Sequence, residues 1–492
     1  MQRLNKSITH AVDRPVKVMQ FGEGNFLRAF VDYIFDVTNE KTDFNGGVVI
    51  VKPIEFGTLE RFHDQECQYT LQLRGFVDGE PKEITRQITS VVDAVAAIED
   101  YDKYIEYGTS ETLRFIVSNT TEAGIVFDET DNDPNARPPK TYPGKLTQLL
   151  YKRYQKFNGA ADKGLILLPC ELIADNGIEL KKCIMKFIEL WGLEDGFKDW
   201  VNNYCSFCPT LVDRIVPGYP REDAAKLCEE WGYEDQLIDR AEVFGLWVVE
   251  SDSNLPLEQL EKELPFKEAG LNVVFTKDHH PYKERKVRIL NGSHTSFVLA
   301  SFLAGNDNVE NSMKDPVIRK YMEETLYNEV IPTLSLSKED CEEFAKAVID
   351  RFLNPFVDHR LLSISLNSVS KWEARCLPSF LGYVKKFNKL PKYLTFSIAA
   401  LMSFYTSQTE AEFNGGIEEY NITDDKAVLD FFRDNSGKSA KEFTHAYLSN
   451  TKFFGGEDLS KVLNLEEVIT EYITDIRERG MRAVVNDLAL DD

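Results

Sequence analysis

The sequence lacks several features that mark particular classes of protein. No run approaches the roughly 20 apolar residues that a membrane helix needs, and residues 1–6 lack the apolar core of a signal peptide. Positive charge is scarce, because 57 lysines and arginines face 81 aspartates and glutamates, for a formal net charge of -24. That deficit argues against nucleic acid or an anionic membrane as a partner. We therefore expect a soluble cytoplasmic protein.

Cysteine and metal-binding motifs are scarce as well. Eight cysteines are scattered over 492 residues, which is typical of reduced intracellular thiols. The single Cys-x-x-Cys, Cys205 to Cys208, has no second pair, and His279-His280 lies in a polar turn where we expect exposed side chains. The sequence has no His-Glu-x-x-His, Gly-x-Ser-x-Gly or Gly-x-x-x-x-Gly-Lys motif. No metal site is predicted.

The chain is too long for one ordinary core, so two domains are expected. Its first half alternates buried strand patterns with helical patterns, which indicates a parallel sheet with crossover helices. The strands are predicted at 16–21, 47–51, 113–118 and 164–169, and the helices at 25–39 and 145–157. After about residue 284 we find helical periodicity only, at 293–303, 315–330, 338–352, 394–405 and 458–485. This predicts an α/β domain over 1–284 and an all-helical domain over 285–492.

A glycine turn follows the first predicted strand. Gly22 and Gly24 stand where dinucleotide-binding folds make a tight turn and let a pyrophosphate approach a helix N-terminus. Leu27 occupies the third glycine position, and Lys52-Pro53 stands where an acidic residue would bind the ribose. An ordinary β–α turn explains the same glycines. The residues alone leave both interpretations open.

Lys286, Asn291 and His294 lie just before a strongly apolar run. Together they can accept a proton from an alcohol, hold the resulting oxygen and orient the base. On an α-helix the three would span an arc of about 140°. Positive charge nearby favours the neutral form of a lysine, and Lys283, Arg285 and Arg288 could supply it. The alternative is a solvated basic helix start, with Asn291 as an N-cap and His294 as a buried core histidine.

These pieces together resemble the mannitol dehydrogenase family. Its signature Lys-x-x-x-x-Asn-x-x-His is matched by Lys286, Asn291 and His294, and its Gly-x-Gly-x-Phe turn is matched by residues 22–26. Segments 118–124 and 211–217 look like further family blocks. The resemblance implies an N-terminal Rossmann-type domain, a mostly helical C-terminal domain and a metal-independent oxidoreductase that uses NAD. The cofactor-binding residues it implies are Gln20, Phe21, Gly22, Glu23, Gly24, Asn25, Phe26, Leu27, Arg28, Ala29, Asn119 and Thr120.

The resemblance also implies catalytic roles. Lys286 would be the general acid/base, Asn291 would hold the developing oxyanion, His294 would orient substrate or lysine, and Asp213 would contact substrate. The family's Cys-Asp-Asn segment, which supplies a second asparagine, reads Cys170-Glu171-Leu172 here, with Asn176 nearby as a candidate substrate contact.

Charge at two further positions indicates the class of substrate. Lys283 replaces the acidic residue that neutral-polyol members carry three positions before the lysine, and Arg375 occupies another basic position of the family. Both fit a substrate that carries a carboxylate. Segments 20–30, 169–173 and 281–286 resemble the branch that interconverts D-tagaturonate and D-altronate in galacturonate breakdown. Reduction of fructuronate, oxidation of a neutral polyol and a non-catalytic sugar-acid sensor remain alternatives. No oligomeric state is predicted.

Overall fold

A computed structural model describes residues 1–121, 123–406, 410–413 and 416–490. The chain forms two compact units, one of Met1–Arg74 with Lys82–His279 and one of Gly75–Pro81 with His280–Asp492. The sequence placed the division near residue 284, and it gave no sign that residues 75–81 group with the C-terminal part.

The first unit is built on a six-stranded parallel sheet. Its strands are β1 (Val16–Phe21), β2 (Gly47–Lys52), β3 (Val91–Ala96), β4 (Phe115–Ser118), β5 (Ile166–Pro169) and β6 (Ser206–Phe207). They lie in the order β3-β2-β1-β4-β5-β6, which is the doubly wound order of dinucleotide-binding domains. The predicted parallel sheet is confirmed. The order reverses between β1 and β4, so the carboxyl end of β1 lies at the point where such folds bind ligands.

The strands are almost continuously apolar because both faces of the sheet are covered. Val18 and Ile50 point into one core, whereas Met19 and Val51 point into the other, as the two-residue repeat of a strand requires. The helices of this unit are Lys6–Thr9, Asn25–Leu27, Tyr33–Lys41, Glu60–Asp64, Tyr101–Gly108, Tyr142–Lys156, Asn176–Leu190, Asp195–Tyr204, Ala224–Trp231 and Leu257–Glu263. A π-helical turn, Arg28–Asp32, joins the second of these to the third.

Further strands were not predicted. Thr210–Asp213, Leu246–Glu250 and Val273–Thr276 form a mixed sheet, and Asp239–Glu242 joins Tyr69–Val77 and Glu80–Ile88 in another. Gln2–Arg3 pairs with Tyr233–Glu234. Several of these strands are only four residues long, so their two-residue pattern is too brief to stand out in the sequence.

The second unit is mostly helical. Its α-helices are His280–Arg285, Gly292–Leu303, Val309–Lys314, Pro316–Glu324, Lys338–Phe352, Leu361–Ile364, Ser368–Arg375, Leu377–Phe387, Lys392–Thr406, Lys426–Asn435, Ala440–Leu448, Leu465–Arg479 and Met481–Leu490. π-helical turns occupy Lys286–Asn291 and Thr325–Val330. Within the described part of the chain, no helix is long and apolar enough to cross a membrane. All eight cysteines are buried free thiols.

The prediction of helices alone after residue 284 is wrong at one place. Glu410–Phe413 and Gly416–Glu419 form an antiparallel pair of strands. The signal that was missed is the dipeptide Asn414-Gly415, which is favoured in two-residue hairpin turns. Those two residues lie outside the described residues.

Candidate functional site

The glycine turn at the end of β1 requires glycine at its first position. Gly22 has φ +121°, and a Cβ there would lie 3.2 Å from the Asn119 carbonyl oxygen and 3.2 Å from Leu27 Cδ1. A side chain would therefore be strained and crowded by the loop after β4. Leu27 stands at the third glycine position of a dinucleotide fingerprint, and here it packs against Gly22.

The space around Gly24, unlike that around Gly22, is open. A Cβ on Gly24 would meet no atom within 4 Å, and its φ of -69° suits any residue. It precedes the first helical residue, Asn25, and the helix has no side-chain cap at this end. The helical path then continues through the π turn to Lys41. Such an end attracts an anion, because its first N–H groups lack partners within the helix.

The other predicted cofactor residues divide into an outer and an inner set. Asn25 is exposed, while Glu23 and Phe26 are half-buried. Gln20, Phe21, Leu27, Arg28 and Ala29 are buried and support the turn from behind. The Gln20 side-chain amide donates to the Gly22 carbonyl (3.2 Å), and the Arg28 guanidinium donates to Asn25 Oδ1 (2.6 Å) and to the Leu237 carbonyl (2.6 Å).

Glu171 holds the loop after β4 and was not recognised from the sequence as a site residue. Its carboxylate accepts hydrogen bonds from Ser118 Oγ (3.0 Å), the Thr120 backbone N–H (3.0 Å) and Thr120 Oγ1 (2.9 Å). Burial raises the pKa of Glu171, while those hydrogen bonds oppose the rise. The acidic residue of the Cys170-Glu171-Leu172 segment thus holds Ser118 and Thr120, the two residues on either side of Asn119. The third residue, Leu172, is exposed.

Asp213 and Asn176 lie in the first unit. Asp213 is the last residue of its strand and is 6% exposed. The Asn176 amide donates to the carbonyls of Pro169 (3.0 Å), Glu171 (3.0 Å) and Thr210 (3.1 Å). Its Oδ1 also accepts from backbone N–H groups. The side chain of Asn176 therefore joins the end of β5 to the strand Thr210–Asp213, and direct contact with a substrate would break these bonds.

Two buried carboxyls lie behind the glycine turn. Asp32 accepts a hydrogen bond from the Tyr69 hydroxyl (2.9 Å), and Asp239 lies 3.7 Å from the Arg28 guanidinium. Burial raises the pKa of Asp32 to about 8, against the hydrogen bond from Tyr69 and the charge of Arg28. Burial likewise raises the pKa of Asp239 to about 7, against the charge of Arg28.

These carboxyls predict a loss of stability as the pH rises. An unfolded aspartate releases its proton near pH 4, whereas folded Asp32 keeps it up to about pH 8. The stability that Asp32 contributes is therefore complete at low pH and is lost between about pH 4 and about pH 8. We expect the Tm of Asp32→Asn, which cannot ionise, to fall less over this range than that of the wild type. Parallel Tm–pH curves for the two proteins would contradict this.

His279 is not exposed, contrary to the prediction from its polar turn. It is 3% exposed. The backbone N–H of His279 donates to Glu250 Oε2 (2.9 Å), and His279 Nδ1 lies 2.7 Å from the same oxygen. His280 is exposed, as predicted. Glu250, Asp278, His279 and His280 each place one carboxylate oxygen or ring nitrogen within 4.8 Å of the others. The hydrogen bonds between Glu250 and His279 account for part of this closeness.

Lys286 and Asn291 are the first and last residues of a π-helical turn in the second unit. The Gly292 N–H donates to the carbonyl of Val287, five residues earlier. The sequence argument assumed an α-helix, in which Lys286 and Asn291 lie about 140° apart. A π turn bonds residues five apart, so it brings these two onto one side of the helix. Asn291 has helical backbone angles and makes no side-chain cap, which removes the N-cap alternative.

His294 is half-buried on the next helix. Its ring stacks on Phe352, with centroids 4.3 Å apart, and meets His359 edge-on at 5.2 Å. Its Nε2 is buried and has no hydrogen-bond partner among the described residues. Burial lowers the pKa of His294 well below its usual value, and His359, Arg351, Arg375 and Lys371 lower it further. The imidazole is therefore neutral near pH 7.

The cationic groups that act on His294 form a basic cluster, which we define as Arg351, Lys371 and Arg375. Burial lowers the pKa of His359 as well, so this neighbour is not counted among the cations. Lys371 and Arg375 are four residues apart on one helix, Ser368–Arg375, and so share a face. The Arg375 guanidinium donates to Thr295 Oγ1 (3.3 Å), which places it against the helix that carries His294. The sequence predicted Arg375 only, because Arg351 lies on a separate helix, Lys338–Phe352, and no pattern in the sequence links Lys371 to His294.

The basic residues beside Lys286 have different surroundings. Arg285 is buried, with its guanidinium 4.6 Å from the Phe344 ring centroid, and it donates to the Asp340 carbonyl (3.3 Å). Arg288 donates to Ser379 Oγ (2.8 Å) and pairs with Glu284 at 3.2 Å. Both guanidinium groups therefore already contact neighbouring side chains or carbonyl groups of the protein. Lys283 is half-buried on the helix that leads into the π turn.

Comparison with known proteins agrees with this division into two parts. Residues 16–262 match the family model of the mannitol dehydrogenase Rossmann domain, and residues 278–477 match that of the mannitol dehydrogenase C-terminal domain. The chain belongs to the mannitol dehydrogenase family. The glycine turn lies in the family's Rossmann domain, and the π turn with the basic cluster lies in its C-terminal domain.

Similar members of the mannitol dehydrogenase family include altronate oxidoreductases. The one from Bacteroides thetaiotaomicron is 40% identical over 489 residues, covering 99% of this chain and 100% of that protein. The one from Bacillus subtilis is 39% identical over 494 residues, covering 100% and 99% respectively.

Two solved structures share the fold. A D-sorbitol dehydrogenase in substrate-free form has a TM-score of 0.79 at 21% identity and covers 98% of this chain and 100% of that one. Pseudomonas fluorescens mannitol 2-dehydrogenase, in a ternary complex with NAD and D-mannitol, has a TM-score of 0.64 at 21% identity and covers 100% of both chains.

Proposed function

We propose that the protein is an NAD-dependent oxidoreductase that interconverts D-altronate and D-tagaturonate. The observation that carries this proposal is the basic cluster around the neutral His294, in a chain about 40% identical to altronate oxidoreductases. A sugar acid carries a carboxylate that can pair with the cations beside His294, whereas a neutral polyol carries no charge for them to bind. The proposed setting is the cytoplasm, in galacturonate breakdown, with a small sugar acid as the substrate.

The residues at the end of β1 fit a dinucleotide. Gly22 has a conformation that favours glycine, Gly24 leaves open space, and the uncapped helix start can meet a pyrophosphate. Thr120, held by Glu171, and Asn119 beside it would line the neighbouring loop. NAD bound there would supply the hydride acceptor for altronate oxidation, and NADH the hydride donor for tagaturonate reduction.

Gly24 provides a test of this assignment. We expect Gly24→Val to leave the Tm unchanged within about 2 °C, because a side chain there has room. We expect the same change to weaken NADH binding at least about tenfold, because it fills space that the pyrophosphate would use. Isothermal titration calorimetry measures the Kd. Unchanged affinity in a folded variant would contradict the assignment.

Lys286 is the proposed general acid/base. In altronate oxidation its neutral amine takes the hydroxyl proton as the carbon loses its hydride, and in tagaturonate reduction its ammonium returns a proton to the carbonyl oxygen. Asn291, on the same side of the π turn, would donate a hydrogen bond from its side-chain amide to that oxygen as negative charge develops. Atoms and charge balance, since each turnover of altronate yields tagaturonate, a reduced cofactor and one proton.

The remaining site residues bind the substrate in this proposal. Nε2 of His294 would gain a substrate hydroxyl as the hydrogen-bond partner that it lacks. Arg375 would bind the carboxylate, with Lys371 on the same helix face and Lys283 adding positive charge. Asp213 would accept from a substrate hydroxyl. We propose a positioning role for Asn176, because its amide is engaged with three carbonyls.

The proposal is tested by following absorbance at the wavelength specific to the reduced cofactor. We expect NADH to be oxidised when D-tagaturonate is added and NAD to be reduced when D-altronate is added. A folded protein that binds NADH but turns over neither sugar acid would contradict the proposed activity.

A further inference from the structure

The end of β2 carries a lysine where dinucleotide-binding folds commonly carry an acid for the adenosine ribose. Lys52 is 2% exposed, so its ammonium is held inside the protein. Its Nζ lies 3.1 Å from Glu99 Oε1, 3.2 Å from the Gly57 carbonyl and 3.4 Å from the Glu55 carbonyl. A buried ammonium needs such partners. Its positive charge is therefore already matched by a carboxylate.

Glu99 reaches this position from the neighbouring strand. It follows β3, which pairs with β2 through Lys52 and Ala96, and it precedes the helix Tyr101–Gly108. Its side chain is 54% exposed, although one oxygen meets the buried Lys52. The negative charge that the fingerprint expects at the end of β2 is thus supplied from the end of β3.

We propose that Glu99 is the residue that selects NADH over NADPH. Its exposed carboxylate would accept a hydrogen bond from a ribose hydroxyl, as the acid at the end of β2 does in other dinucleotide folds. The additional phosphate of NADPH would meet like charge at this place. Lys52 acts as the positioning residue, because it holds the Glu99 carboxylate at the end of β2. This inference rests on the proposed use of a nicotinamide dinucleotide.

The loop held by Lys52 carries a second feature of an adenosine site. The two carbonyls that accept from Lys52 flank Phe56, whose surface is 80% exposed, and Ile54 on the same loop is 52% exposed. An exposed phenylalanine offers a flat apolar face to a planar base. Lys52 thus joins the proposed ribose acceptor to an apolar platform beside it.

The test is the affinity of the whole protein for each cofactor, measured by calorimetry without any sugar acid. We expect the wild type to bind NADH more tightly than NADPH. In Glu99→Gln, the Lys52 charge is no longer matched, and we expect the ratio of Kd for NADPH to Kd for NADH to fall about tenfold to a hundredfold. Glu99→Asp, which keeps the charge, should retain most of the preference.

Glu111→Gln is the matched control, since it removes the same charge from an exposed residue just before β4, at the amino ends of the strands, whereas Glu99 lies beyond the carboxyl end of β3. We expect it to leave the ratio unchanged. The proposal is overturned if the wild type binds both cofactors equally, if Glu99→Gln keeps the wild-type ratio, or if Glu111→Gln changes it as much. Because the Kd values need no substrate, a failure here is distinct from an absence of turnover with tagaturonate.

Discussion

In the Lys286→Met variant, we expect kcat for the reduction of D-tagaturonate to fall about a thousandfold or more, within the range that loss of a general acid produces. Methionine has a similar length and is also apolar along its stem, so the change removes the amine and little else. The π turn should remain, because its backbone hydrogen bonds do not involve this side chain. Binding of NADH should be unchanged, since the glycine turn lies in the first unit.

Two lysines provide controls for this experiment. Lys314→Met removes an exposed lysine that pairs with Glu310 on the surface, and we expect wild-type kinetics. Lys283→Met, three residues before Lys286, should raise KM for the sugar acid while kcat stays within about threefold. A Lys286→Met enzyme that keeps more than about a tenth of the wild-type kcat would show that another group transfers the proton.

In the Arg375→Met variant, we expect KM for D-tagaturonate to rise about tenfold to a hundredfold, because a hydrogen bond between charged groups is worth about 1.5–3 kcal/mol. Methionine keeps the packing of the stem and removes the guanidinium. Activity with a neutral ketose such as D-fructose should not fall, since that substrate has no carboxylate. Steady-state kinetics with both ketoses therefore measures whether Arg375 recognises charge.

Lys371→Met distinguishes the members of the basic cluster. Lys371 donates to the Ile364 carbonyl (2.9 Å), so part of its hydrogen-bonding capacity is already used, and we expect a smaller rise in KM than for Arg375. Equal losses of activity toward tagaturonate and fructose in Arg375→Met would indicate a structural role and would contradict carboxylate recognition.

The sequence predicted the parallel sheet because its strands are buried on both faces and read as continuous apolar runs. It also predicted the glycine turn, whose position next to β1 follows from strand and helix patterns alone. Leu27 was an apparent defect in the fingerprint, and only the packing of its side chain against Gly22 shows how the turn does without a third glycine.

The π turn could not be predicted in the same way. No residue type between Lys286 and Asn291 distinguishes a π turn from an α-helix, so the sequence argument used 100° per residue and spread the two side chains apart. The basic cluster was missed for another reason. Arg351 and Lys371 lie on helices far from His294 in the chain, and tertiary packing alone brings them to it.

The sequence does not show the partners of individual basic residues. The sequence offered Arg285 as a charge that could favour a neutral Lys286, and the structure shows its guanidinium buried against Phe344 and Tyr282. Lys52 stands where a ribose-binding acid was expected, and its ammonium is bound by Glu99, which lies 47 residues away. Counts of charged residues along the chain cannot show which charges are already paired.

The central claim is that this chain reduces a ketose that carries a carboxylate. Its most direct test is kcat/KM of the wild-type protein with NADH and, in parallel, D-tagaturonate, D-fructuronate and D-fructose. We predict the highest value for tagaturonate and a value at least about tenfold lower for fructose, in line with loss of the contact to Arg375. Turnover of fructose alone, or a value for fructose equal to that for tagaturonate, would contradict the account.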